Sequence, residues 1–178
     1  MFALKSAPAA TPAERYSDLL QQAAALIEGE RDLTANAANL SSLLFHTLPD
    51  LNWAGFYRNL GGELVLGPFQ GRPACIRIKF GEGVCGVAAE TRQVQRVEDV
   101  HAFPGHIACD SRSRSELVVP IVAGGALRGV FDMDSPTPGR FDDADRFGVE
   151  RLVAVFSAAT AWPPSPDGAS SLRRPPSP

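Results

Sequence analysis

The most informative stretch for the fold is residues 116–134, ELVVPIVAGGALRGVFDMD. Two apolar, β-branched runs, 116–122 and 127–134, flank Gly124-Gly125, a pattern typical of an antiparallel β-hairpin. Alternate residues of a strand share one face. The face expected to pack on helices therefore carries Leu117, Val119, Ile121, Leu127, Phe131 and Met133, and the opposite face is expected to carry Glu116, Asp132 and Asp134.

A second strand with the same alternation begins after Asn52. Trp53 and Tyr57 fall on one side of it, and we expect that side to be an open face resembling the one that carries the carboxylates. Large aromatic rings beside carboxylates form a cage suited to an ammonium group. The alternative for the three carboxylates is an ordinary solvated acidic face.

The loop that leads into the hairpin, within residues 101–120, concentrates reactive side chains. His101, His106 and Cys109 lie around Pro104-Gly105, and a reactive loop that leads into a rigid strand is a common way to build a site. A zinc site formed by these three residues with another cysteine is an alternative, but CxxC and HExxH spacings are absent, so we expect no metal. The two histidines are otherwise candidates for a general base, with a role that only orders the loop as the alternative.

The chain contains three cysteines, Cys75, Cys85 and Cys109. An odd number fits poorly with a static secreted disulfide framework and better with thiols that are kept reduced or cycled. Cys85 lies just before a short predicted helix over 87–90, and a helix amino terminus favours a thiolate. The surrounding glycines, 81–86, match no phosphate-binding motif and are interpreted as a tight turn.

The remaining segments predict an α+β scaffold with helices on one sheet face. A capping box at Thr11 and Glu14 opens a first helix that ends at Gly29, and Asp32 caps a second that ends before Pro49, with His46 on its surface. Further strands are expected over 63–69 and 75–80. A last helix, opened by Asp142 and Asp145, should end at 162–163 and pack beside the first.

The amino-acid composition indicates which classes of binding partner suit this chain. The 178 residues carry a formal net charge of −3, and the globular part has no Lys/Arg cluster, which argues against nucleic acid or an anionic membrane and favours a small molecule. We find no signal peptide and no long apolar run, so a cytoplasmic location is expected. We expect a flexible segment over 1–10, one domain over 11–162 and a disordered Pro/Ser-rich tail over 163–178.

Several spaced motifs together resemble the free methionine-(R)-sulfoxide reductase family, a catalytic branch of the GAF domain. The likeness runs from about residue 14 to 161. The motifs that carry it are NWAGFY at 52–57, LGPFQG at 66–71, PAC at 73–75, GVCG at 83–86, DVHAFPGHIACDS at 99–111, SRSE at 113–116 and DMDSP at 132–136.

The resemblance implies a single GAF-like domain with a central antiparallel sheet of about six strands. The amino- and carboxyl-terminal helices would pack on one face and the active site would lie on the other. It also implies thiol-dependent reduction of free L-methionine (R)-sulfoxide, without a cofactor, through a cysteine sulfenic acid and an intramolecular disulfide. A non-catalytic GAF module that senses a small molecule is the alternative, since the same fold would suit it.

Residue roles follow from the same resemblance. Cys109 would be the nucleophile, and either Cys75 or Cys85 would resolve the sulfenic acid. A thioredoxin-like protein would be the reductant, and a homodimer is left open. The substrate contacts would be Trp53, Tyr57, Glu116, Asp132 and Asp134.

Overall fold

The computed structural model of the protein describes residues 11–105 and 110–164. The predicted flexible segment over 1–10, and residues 165–178 of the predicted disordered tail over 163–178, lie outside the described residues. Within the described part of the chain, no helix is both long enough and apolar enough to cross a membrane.

A six-stranded antiparallel sheet forms the centre of the fold, in the order β3-β2-β1-β6-β5-β4. The predicted hairpin lies inside the sheet and not at its edge: β5 and β6 pair along their whole length, β6 also pairs with β1, and β5 also pairs with β4. The strands are β1 Trp53–Asn59, β2 Glu63–Gly71, β3 Arg77–Lys79, β4 Gln95–Val97, β5 Ser115–Ala123 and β6 Ala126–Ser135. The α+β sheet of about six strands is confirmed.

The helices divide unequally between the two sheet faces. Three of them, α1 Pro12–Leu26, α2 Leu33–Thr47 and α4 Asp143–Ala159, share the main hydrophobic core with one face, and α1 packs beside α4 as predicted. The fourth, α3 Gly83–Thr91, covers part of the other face. The predicted caps are all present at Thr11, Asp32 and Asp142.

Four details differ from the sequence predictions. The last helix, α4, ends at Ala159 and not at 162–163. Leu127 packs on the α3 face, because β6 has a bulge: Ile121 pairs with Gly129 and Val122 with Leu127, which leaves Arg128 as an extra residue that reverses the alternation. The helix α3 begins at Gly83, before the predicted start. The short edge strand β4 was not located from the sequence, since three residues carry too little periodicity.

The contact between α1 and α4 allows a stability prediction. A Cβ placed on Gly148 would collide with ring atoms of Tyr16, and Tyr16 cannot retreat easily because it is buried and its hydroxyl donates to Asp145 Oδ1 at 2.8 Å. We expect Gly148→Ala to destabilise the protein by about 1–3 kcal/mol, measured by denaturant unfolding.

The control for this prediction is the Tyr16→Ala background. With the ring removed, Gly148→Ala should become neutral or stabilising, because alanine is the better helix former. Equal destabilisation in both backgrounds would contradict the proposed collision.

Candidate active site

Strand register brings the three predicted carboxyls together on the α3 face of the sheet. Glu116 of β5 pairs directly with Asp134 of β6, and Asp132 lies two residues along the same strand, opposite Gly55 of β1. Glu116 and Asp132 are each only 6% exposed, and Asp134 is half-buried. The alternative of a solvated acidic face is therefore wrong.

These carboxyls line a small cavity of about 30 Å³ between the sheet and the amino-terminal end of α3. The volume is enough for one or two water molecules. Its walls contain Ile78, Glu82, Gly83, Val84, Cys85, Asp110, Ser113, Glu116, Asp132 and Asp134. Four residues predicted for the site, Cys85, Glu116, Asp132 and Asp134, thus share one cavity.

Burial controls the protonation of the cluster. Loss of hydration raises the pKa of Glu116 and of Asp132 well above their ordinary values, and the charges of neighbouring carboxylates raise them further. Burial also raises the pKa of Asp134 to about 7, against an opposing hydrogen bond from Ser113. Oδ1 of Asp132 is buried and has no hydrogen-bond partner among the described residues.

Cys85 lies at the side of this cluster as a free, buried thiol. Its Sγ donates to Oε1 of Glu116 at 3.8 Å. Burial, together with the charges of Asp132 and Glu116, raises the pKa of the thiol well above its ordinary value. The predicted thiolate is therefore wrong for this state of the site: desolvation and negative neighbours outweigh the field of a short helix amino terminus.

The other two cysteines are placed differently. Cys75 is half-buried and takes part in a disulfide bond. Its carbonyl oxygen accepts a hydrogen bond from the Tyr57 hydroxyl at 3.0 Å. Cys109 and His106 lie outside the described residues, so the predicted nucleophile stays a prediction and the zinc site that would use both residues stays an alternative. His101 is exposed, and its backbone N–H donates to Asp99.

Trp53 and Tyr57 lie on the carboxyl face but are not an open cage. They are 3% and 2% exposed, and the Trp53 ring is stacked against Tyr57 and Phe69 at centroid distances of 5.8 and 5.3 Å. The indole N–H is also engaged, because it donates to the Arg72 carbonyl at 3.2 Å. The expectation of an open aromatic face is wrong, whereas substrate contact by these residues stays a prediction.

Two polar residues that line the cavity, Asp110 and Ser113, and their hydrogen-bond donor Asn52 were not selected as site residues from the sequence. Asn52 donates to Asp110 at 3.3 Å and to Ser113 Oγ at 3.0 Å, which ties the start of β1 to the loop before β5. Hydrogen bonds from Arg112 lower the pKa of Asp110, so this carboxylate keeps its charge. Asp110 and Ser113 lie inside the reactive loop, which was the available signal, but nothing local links Asn52 to them.

The raised pKa of Asp134 predicts how stability depends on pH. Between the ordinary carboxyl pKa of 3.8 and about 7, the folded protein keeps a proton that the unfolded chain releases. The free energy of unfolding should therefore fall as pH rises through this range, by up to about 1.4 kcal/mol per pH unit for one such carboxyl. Glu116 and Asp132 act in the same direction.

Urea unfolding between pH 5 and 8, in a buffer that contains EDTA, measures this slope. Asp134→Asn should make the slope shallower and raise stability at pH 8, and Asp18→Asn on the exposed side of α1 should leave the slope unchanged. A slope that is identical in wild type and Asp134→Asn would contradict the assignment.

Comparison with known proteins identifies the family to which the chain belongs. A model of the GAF domain matches residues 34–161. Protein YtsP of Bacillus subtilis is 58% identical over 148 residues, which cover 82% of this chain and 91% of that protein. The free methionine-R-sulfoxide reductase of Escherichia coli is 53% identical over 148 residues, covering 83% and 90%. The X-ray structure of the Neisseria meningitidis enzyme of that name, in complex with its substrate, has a TM-score of 0.85 at 40% identity, covering 89% of this chain and 95% of that one. The chain therefore belongs to the free methionine-R-sulfoxide reductase family of GAF-domain proteins.

Proposed function

We propose that the protein reduces free L-methionine (R)-sulfoxide to L-methionine with electrons from a dithiol. The observation that carries this proposal is the convergence of Glu116, Asp132 and Asp134 in one cavity on the sheet face that also holds Cys85. Relatives named free methionine-R-sulfoxide reductase, at 53% and 43% identity, support the same activity.

The carboxyl cluster explains a preference for the free amino acid. A free amino acid carries an α-ammonium group that a peptide-bound residue lacks. Oδ1 of Asp132 is buried and has no hydrogen-bond partner within residues 11–105 and 110–164, and a buried carboxyl in this condition is stabilised by a donor that satisfies it. Binding an ammonium group would lower the raised pKa values of Glu116 and Asp132, and the resulting ion pairs would hold the substrate.

The first chemical step is attack of the Cys109 thiolate on the sulfoxide sulfur. The attack forms a bond between Cys109 Sγ and the substrate sulfur. The protonated oxygen then passes to Cys109 Sγ as the S–O bond and this new S–S bond break, which gives methionine and a cysteine sulfenic acid; the sulfoxide is reduced by two electrons and the thiol is oxidised by two. The departing oxygen needs a proton. Asp134 is the best-matched donor, because burial raises its pKa to about 7, near the working pH.

The second step converts the sulfenic acid of Cys109 into a disulfide and needs no added oxidant. A resolving thiol attacks the sulfur of the sulfenic acid, water leaves, and a disulfide forms. We assign this role to Cys75, since Cys75 is disulfide-bonded and Cys85 remains a free thiol. Burial beside carboxylates also makes the Cys85 thiol a poor nucleophile.

A protein dithiol must then reduce the disulfide before the next cycle. A thioredoxin-like protein supplies this chemistry, because exchange through a mixed disulfide transfers both electrons and returns two thiols. Such a cycle fits a reducing compartment, and we place the protein in the cytoplasm.

The direct test is incubation of the full-length protein with free methionine (R)-sulfoxide and dithiothreitol, followed by quantification of methionine. We expect many methionine molecules per chain. A GAF module that only senses a small molecule would bind methionine sulfoxide, measured by calorimetry, without forming methionine, and that result would replace the enzymatic proposal.

A further inference from the structure

Cys85, Glu116 and Asp132 form a group whose donor atoms match the spacing of metal ligands. One atom from each lies within 4.8 Å of the other two, and all three side chains are buried. The distance from Cys85 Sγ to Glu116 Oε1 is 3.8 Å. Two such ligands on a tetrahedral zinc ion, with Zn–S near 2.3 Å and Zn–O near 2.1 Å, lie about 3.6 Å apart. The three side chains therefore need little movement to share an ion.

The unpartnered oxygen of Asp132 is an independent sign that this group lacks a ligand. Asp132 is 6% exposed, lines the cavity, and has no hydrogen-bond partner for Oδ1 among the described residues. The cavity of about 30 Å³ has room for one ion with one water molecule.

We propose that Cys85, Glu116 and Asp132 bind a zinc ion, with water as the fourth ligand. Cys85 coordinates as a thiolate and Glu116 and Asp132 coordinate as carboxylates, so each group releases to solvent the proton that it carries in the metal-free site, and nothing is oxidised or reduced. One thiolate with two carboxylates suits Zn²⁺ better than Mg²⁺ or Ca²⁺, which prefer oxygen ligands alone.

Zinc in this position would inhibit the enzyme. The ion would occupy the carboxylates that the proposed function assigns to the substrate ammonium group, so Zn²⁺ and methionine sulfoxide would compete. This consequence rests on the proposed function, whereas zinc binding itself does not.

The binding test uses the full-length protein with its disulfide intact, so that Cys85 is the thiol available to metal. Co²⁺ as a spectroscopic probe should produce a sulfur-to-metal charge-transfer band, and Zn²⁺ should bind one ion per chain in competition with a chromophoric chelator. Cys85→Ser should remove the band and weaken Zn²⁺ binding by at least about tenfold, with Glu116→Gln also weakening it.

The control variant is His46→Ala, which removes an exposed histidine of α2 and should leave Zn²⁺ affinity unchanged. Circular dichroism confirms that each variant is folded. Absence of stoichiometric Zn²⁺ binding, or affinity that Cys85→Ser does not change, would overturn the proposal.

Kinetics test the inhibitory role separately, with a water-soluble phosphine in place of a thiol reductant because thiols sequester zinc. Zn²⁺ should raise KM for methionine sulfoxide with little change in kcat, and a chelator should reverse the effect. If Zn²⁺ inhibited Cys85→Ser as strongly as the wild type, the inhibition would be due to the other thiols, and competition at this site would be refuted. If the protein makes no methionine at all, the proposed function fails, and the spectroscopic test of zinc binding still stands.

Discussion

Cys109→Ser is expected to form no methionine, even when the protein is in molar excess over the sulfoxide. A serine hydroxyl at neutral pH carries almost no anion and cannot take up oxygen as a sulfenic acid does, so both the attack and the product chemistry are lost. Removal of a nucleophile typically costs about four to six orders of magnitude in kcat. Repeated turnover by Cys109→Ser would refute the assignment of the nucleophile.

The other two cysteines provide matched variants for the same experiment. With a protein dithiol as the only reductant, Cys75→Ser should form about one methionine per chain and then stop with a trapped sulfenic acid, detectable by a dimedone-type reagent. Cys85→Ser should still turn over repeatedly, because Cys85 is the free thiol of the structure. The opposite pattern would move the resolving role to Cys85.

N-acetylmethionine sulfoxide is expected to be a far poorer substrate than the free amino acid. Acetylation removes the ammonium charge and adds bulk, so Glu116 and Asp132, each only 6% exposed, would lose their partner. Leaving one member of a buried ion pair without its partner typically costs roughly 3 to 5 kcal/mol, about two to four decades in kcat/KM if the contact persists in the transition state.

The variant Asp132→Asn tests whether this carboxyl causes the preference for the free amino acid. It should lower kcat/KM for the free amino acid while leaving the already poor acetylated substrate nearly unchanged, so the ratio between the two should shrink. The R epimer alone should be consumed, because a fixed proton donor reaches the oxygen on one face only. Equal kcat/KM for the two substrates in wild type, or loss of both epimers, would contradict this view of the pocket.

Local sequence patterns were enough to predict the strand faces and the helix caps. Alternation along 116–122 and 127–134 placed Glu116, Asp132 and Asp134 on one face, because the period of a strand is two wherever no bulge intervenes. The helix caps at Thr11, Asp32 and Asp142 were equally predictable, since each depends on a hydrogen bond that spans three residues. The spaced motifs then identified the family, which the comparisons confirm.

Only the tertiary structure decided the environment of these residues. Burial between α3 and the sheet raises the pKa of Cys85, where the sequence around it predicted a thiolate, because desolvation depends on what covers a residue and not on its neighbours in the chain. Stacking against Phe69 closes the face of Trp53, and the bulge at Arg128 turns Leu127 to the other side. Asn52 joins Asp110 across 58 positions of sequence, a contact that exists only because β1 and the reactive loop meet in space.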